Sequence, residues 1–123
     1  MQRTRQRFRD LQVWTEGVDL ARAVYRFTRL FPREERFGLA MQMRRAAVSV
    51  PSNIAEGSVR SRRQFAHYLE IALGSLAELE TQLSIAADVA GNSAEQHYVE
   101  QRVDRVRRML YGLLSAIRSS AAE

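Results

Sequence analysis

The chain has 123 residues, 46% hydrophobic and 27% charged, which fits one ordinary globular domain and is far from the composition of a disordered protein. Its formal net charge is +5; all nineteen basic residues are arginine and there is no cysteine. Disulfides, thiol nucleophiles, cysteine-ligated zinc, Schiff-base lysines and a phosphate-loop lysine are therefore excluded. No apolar run approaches the roughly 20 residues that cross a bilayer, and the start of the chain lacks the apolar stretch of a secretory signal. A cytoplasmic protein without a membrane partner is expected.

Charge is unevenly placed. Residues 1–63 hold 14 arginines against 6 acids, and residues 64–123 hold 5 against 8. This polarity suits an anion-facing half, or association of the basic half of one copy with the acidic half of another.

Residues 1–9 read as a flexible basic arm carrying Arg3, Arg5, Arg7 and Arg9, followed by one domain over 10–118 and a frayed tail over 119–123. The first periodic segment runs from Asp10 to Phe31. Leu11, Trp14, Val18, Ala21, Tyr25 and Thr28 form an apolar stripe, and Glu16, Asp19, Arg22, Arg26 and Arg29 fall on a solvated face. Pro32 closes it.

The second segment, Phe37 to Glu56, places Leu39, Met43, Ala46, Val50 and Ile54 on one face. Pro51 lies inside it and predicts a kink or a break, with Ser52 and Asn53 able to cap a restarted helix. Gly57 is expected to end the segment.

The third begins with a capping box, Ser61-Arg-Arg-Gln64. Phe65, Leu69, Ala72, Leu76, Leu79, Leu83, Ala86 and Ala90 then make a heptad-like seam until Gly91. The fourth opens on a second box, Ser93-Ala-Glu-Gln96, and continues with Val99, Val103, Val106, Leu110, Leu113 and Ile117. No segment has the alternation and turn chemistry of a hairpin. Four long helices with short connections predict an all-α, antiparallel up-and-down four-helix bundle.

The third and fourth helices carry spare apolar residues: Tyr68, Ile71, Leu73 and Ile85, then Met109, Tyr111, Gly112 and Leu114. Gly74, Ser75 and Ala77 permit close helix approach. In so small a domain a second apolar stripe points to another subunit, hence to a homo-oligomer.

Chemistry is sparse. His67 and His97 fit no metal motif, no nucleophile elbow or cofactor turn occurs, and Glu78 and Glu80 cannot share a helical face. No catalytic residue, metal or cofactor is expected. A small-molecule or hydrolytic bundle would need a buried polar cluster around Glu56 and His67. The arginine clusters carry more: Arg44 and Arg45 on the second helix; Arg60, Arg62 and Arg63 at the turn beside open helical N–H donors; and Arg102, Arg105 and Arg108 spaced by three on the fourth helix. Guanidinium forks match phosphate oxygens, so these residues are candidate nucleic-acid backbone contacts. No recognition-helix motif or aromatic stacking platform is evident. The other reading has these arginines solvated or paired with Glu34, Glu35, Glu56 and Asp104.

Four stretches carry a resemblance: Phe31-Pro-Arg-Glu-Glu-Arg-Phe-Gly-Leu39; Arg44-Arg-Ala-Ala-Val-Ser-Val-Pro-Ser-Asn-Ile-Ala-Glu-Gly57; Ser61-Arg-Arg-Gln-Phe65; and Ala72-Leu-Gly-Ser-Leu-Ala-Glu-Leu-Glu-Thr-Gln-Leu83. Together they resemble the bacterial four-helix-bundle family first noticed in intervening sequences of 23S ribosomal RNA genes. The accessory variability-determinant proteins of diversity-generating retroelements resemble the same family. The resemblance implies a homopentameric barrel with an interaction role and no catalysis. It also implies RNA or DNA binding, or docking to an acidic or reverse-transcriptase-like protein, through basic surface. The motif positions it singles out are Arg44, Arg45, Asn53, Glu56 and Gly57, with Arg62, Arg63, Ser75 and Glu78. Their bland roles are structural: Asn53 and Glu56 bonding the backbone freed by Pro51, and Arg44 pairing with Glu78.

Overall fold

A computed structural model describes residues 8–91 and 93–122. Among them are four α-helices and no strand: α1 Gln12–Thr28, α2 Leu39–Ser58, α3 Arg62–Ala90 and α4 Ala94–Ala122. Residues 1–7 of the expected arm lie outside the described residues; Phe8–Asp10 form a 3-10 turn, and the Phe8 ring packs edge-on against Trp14 with centroids 5.2 Å apart. α4 runs to Ala122, past the boundary expected at 118.

Each helix packs on its chain neighbour and α4 closes the ring against α1. Cross-contacts fix the directions. The end of α1 meets the start of α2 through Thr28 and Arg44, the end of α3 meets the start of α4 through Leu83 and Gln96, and the start of α3 meets the end of α4 through Glu70 and Arg118. The bundle is antiparallel, as its short connections require.

The α3 and α4 seams fall where the 3–4 rhythm puts them. Leu69, Ala72, Leu76, Leu79, Leu83 and Ala86 are buried, as are Val99, Val103, Val106 and Leu110. The α2 face of Leu39, Met43, Ala46, Val50 and Ile54 is buried as well. Each fully buried aliphatic side chain of this kind contributes about 1.5–3 kcal/mol. Leu114, expected on a spare stripe, is also in the core.

α1 departs from the expected face. Of the expected stripe Ala21 and Thr28 are buried and Leu11, Trp14 and Val18 half-buried, but Tyr25 is exposed, and the buried face centres on Val13, Gly17, Leu20, Val24 and Phe27, continued by Phe31. Both stripes share the same period, and Gly17 breaks the apolar run of the true one. Gly17 packs against Pro51, where a Cβ would lie at van der Waals distance, 3.4 Å, from the Pro51 ring.

The break expected at Pro51 does not occur. α2 is continuous from Leu39 to Ser58 with Pro51 inside it, so Ser52 and Asn53 cap nothing. The proline removes one helical hydrogen bond, but its ring is buried against the bare backbone of Gly17. Nor does Gly57 end the helix. It lies within α2, where a Cβ would come within 2.6 Å of Tyr68 Cβ and 2.9 Å of the Phe65 ring, so its role is close approach of α2 to α3.

The Ser61 capping box forms in full, with both reciprocal bonds. The second box forms by half: Gln96 N–H donates to Ser93 Oγ at 3.0 Å, but the Gln96 amide turns inward to the Leu83 carbonyl at 3.2 Å. Gly91, at φ +75°, ends α3 in a conformation that favours glycine.

Candidate nucleic-acid interface

The structure divides the expected arginines. The α4 stripe is neutralised. Arg102 and Arg105 both engage Glu16 of α1, the latter at 3.2 Å, and Arg108 pairs with Asp104 at 3.3 Å. Arg107 meets Glu80 and Asp104, and Arg118 meets Glu70. These pairs add little stability where exposed, yet they cancel the positive field a polyanion would feel.

At the α2–α3 turn, Arg60 bonds Glu56 at 2.7 Å and lies over the Tyr68 ring at 5.2 Å. The hydrogen bond to Glu56 holds its guanidinium above the ordinary arginine pKa, aided by Tyr68. The capping box takes one of the expected open N–H donors of α3: Ser61 Oγ accepts from Gln64 N–H at 3.2 Å, and Gln64 Oε1 accepts from the N-cap Ser61 N–H at 3.4 Å. Arg62, Arg63, His67 and Glu70 line a broad depression shared with Arg118 of α4. Glu56 and His67 are exposed, so no buried polar cluster forms around them.

The motif residues mostly join helices. Ser49 and Ser75 hydroxyls bridge α2 and α3 at 2.8 Å, and Asn53 Nδ2 donates to the Ser49 carbonyl at 2.8 Å and to its hydroxyl at 2.9 Å. Asn53 thus serves Ser49, one turn up, and Glu56 serves Arg60 and Tyr68; neither bonds the Ala47 carbonyl that Pro51 frees. Arg44 does not pair with Glu78. Its Nε donates to Thr28 Oγ1 at 2.8 Å, and its guanidinium lies over the Tyr25 ring at 4.7 Å. Glu78 is exposed on α3.

Arg44 and Arg45 belong to a larger basic surface, at the corner where α1 ends and α2 begins. Arg26, Arg29, Arg33 and Arg36 join them there. Among the described residues Arg26, Arg29, Arg33, Arg36 and Arg45 meet no carboxylate, and all are exposed. Two depressions of about 590 and 620 Å³ share Tyr25 and Val48 and are rimmed by these arginines. Phe37, 78% exposed, lines the first. The sequence signal is the run Arg22, Arg26, Arg29 at helical spacing, which reads as a solvated face, followed by Arg33 and Arg36. The corner and the Arg60–Arg63 turn are not brought together: Arg44 and Ser58 are separated by about 21 Å of helix.

The family of 23S rRNA-intervening sequence proteins matches residues 9–112, so the chain belongs to that family. Its fold is similar to that of a Bacteroides thetaiotaomicron VPI-5482 protein of unknown function from the S23 ribosomal protein family, seen in a crystal structure. The TM-score is 0.74 at 21% identity, over 84% of this chain and 95% of that one. Among proteins of curated function none is significantly similar. No described helix is long and apolar enough to cross a membrane, and no described cluster of His, Asp and Glu is suited to hold a metal ion.

Proposed function

We propose that this protein binds the phosphate backbone of nucleic acid, without catalysis, through the α1–α2 corner. One observation carries the reading. Arg26, Arg29, Arg33, Arg36 and Arg45 gather on one surface without a carboxylate partner, while all the arginines of α4 are paired. A concentration of uncompensated guanidinium is a polyanion surface, and its affinity comes mainly from counterion release. A family named for 23S rRNA intervening sequences is in keeping with RNA as that polyanion. The place of action is the cytoplasm. Arg60, Arg102, Arg105 and Arg108, engaged by carboxylates, are secondary at most.

Mobility shifts with single-stranded RNA and duplex DNA at 50 and 200 mM salt test this. With about five phosphate contacts, affinity falls by roughly 10²–10³-fold between the two. Absence of a shift at the lower salt overturns the reading.

The reading includes self-association, for which the resemblance implies a pentamer. Ile71 and Ile85 lie exposed on α3 and Tyr111 on α4, and open space surrounds Gly74 between the two isoleucines. The same apolar strip supports a second reading, a scaffold that docks an acidic or reverse-transcriptase-like protein. Light scattering separates the two: a monomer that captures a partner after nuclease treatment favours the scaffold.

A further inference from the structure

The basic corner is not uniform. Between the end of α1 and the start of α2 lies a cleft of about 320 Å³ lined by Arg29, Arg33, Arg36 and Arg44 together with Phe31 and Pro32. It is smaller and more enclosed than the groove beside it. Arg44 is held in place by Thr28 Oγ1 at 2.8 Å and by the Tyr25 ring. Thr28 is itself buried and anchored to the Val24 carbonyl at 2.8 Å. Two acids, Glu34 and Glu35, lie between Arg33 and Arg36 in sequence; neither lines the cleft, and Glu35 turns its carboxylate to Leu39 N–H at 3.4 Å. Arg36 and Arg44 form the wall between this cleft and the groove that holds the exposed Phe37 ring.

Four guanidinium groups around one small cleft exceed what a single backbone diester, with one negative charge, can neutralise. A phosphate monoester carries about −1.5 to −2 charge and three acceptor oxygens. Arginine forks bind such oxygens in pairs. An aromatic ring next to the phosphate gives the attached base a stacking surface.

We propose that the corner is a subsite for the phosphorylated end of a nucleic-acid strand, the monoester held among Arg29, Arg33, Arg36 and Arg44 and the terminal base against Phe37. This rests on the backbone-binding reading and narrows it to a strand end.

The test compares three internally labelled ten-nucleotide single strands by fluorescence anisotropy: one with a 5′-phosphate, one with a 3′-phosphate and one with neither. AMP serves as the free-nucleotide probe. One phosphorylated strand binds at least about tenfold tighter than the unphosphorylated strand. Arg33→Ala with Arg36→Ala abolishes that preference, and Phe37→Ala weakens the phosphorylated strand by about fivefold or more. All three positions are exposed, so helicity and solution mass stay unchanged. Equal binding of the three strands overturns the strand-end assignment and leaves backbone binding intact. AMP binding as tightly as the strand overturns it in favour of a free nucleotide. A fall in solution mass in these variants overturns it in favour of a second copy seated on the corner. No binding of any strand at 50 mM salt removes both the assignment and its parent.

Discussion

The α1–α2 corner and the α4 flank hold similar numbers of arginines, and they differ in what stands opposite. Arg102, Arg105, Arg107 and Arg118 reach Glu16, Glu80 and Glu70 on other helices, and Arg108 pairs with Asp104 one turn back on α4. Arg26, Arg29, Arg33, Arg36 and Arg45 look to solvent. Residue type and spacing do not distinguish the two sets. The pairing partner decides whether an arginine projects a field or closes a seam between helices. Net charge is therefore a poor guide to where a polyanion would sit, and local uncompensated charge is a better one.

The strongest way to break this contrast is charge reversal. Arg29→Glu, Arg33→Glu and Arg36→Glu together lower polyanion affinity by about 10²-fold or more and reduce the salt slope by roughly three. Arg105→Glu with Arg108→Glu changes affinity only about twofold, because both side chains are already engaged. Filter binding across a salt series measures both.

A smaller effect sits at the seam between α2 and α3. Gly57→Ala forces a Cβ against Tyr68 and Phe65, and overpacking of this kind costs about 1–3 kcal/mol. Denaturant unfolding reads it as a lower midpoint with an unchanged slope. If stability holds, α2 and α3 are not as close as described.

Glu16→Gln sharpens the contrast from the other side. The Glu16 side chain is mostly buried between Arg102 and Arg105. Losing its charge costs about 1–2 kcal/mol, discounted for the exposure of Arg105. It also releases two guanidinium groups, so RNA affinity rises by several-fold while thermal stability drops. A fall in both would show that the α4 arginines do not behave as masked cations.

The smallest effect is local. Ser61→Ala removes the α3 cap and costs about 1 kcal/mol, roughly a 3–5 °C drop in Tm for a domain this size. RNA affinity is unchanged, because the cap is at the other end of the bundle from the corner.

Much of the bundle was legible because helical periodicity is a local property. The α3 seam from Leu69 to Ala86, the α4 seam from Val99 to Leu110, and the Ser61 box follow from side chains three and four apart, which meet on any helix. α1 was harder. Two stripes of equal period ran along it, and Gly17, which packs against Pro51, disguised the buried one. Pro51 and Gly57 read as breakers because a single sequence shows the backbone cost of each and not the neighbour that makes it worthwhile.

The sequence by itself determined four amphipathic helices, where they start, and which face of α2, α3 and α4 turns inward, because these depend on neighbours a few residues away. The membership of each ion pair between helices was decided only by tertiary packing. Glu16 and Arg102 are separated by 86 positions and meet because α4 closes the ring against α1 at a particular rotation and height. That same closure leaves Arg29, Arg33, Arg36 and Arg45 uncompensated. Charge is written in the chain, but its cancellation depends on distance in space.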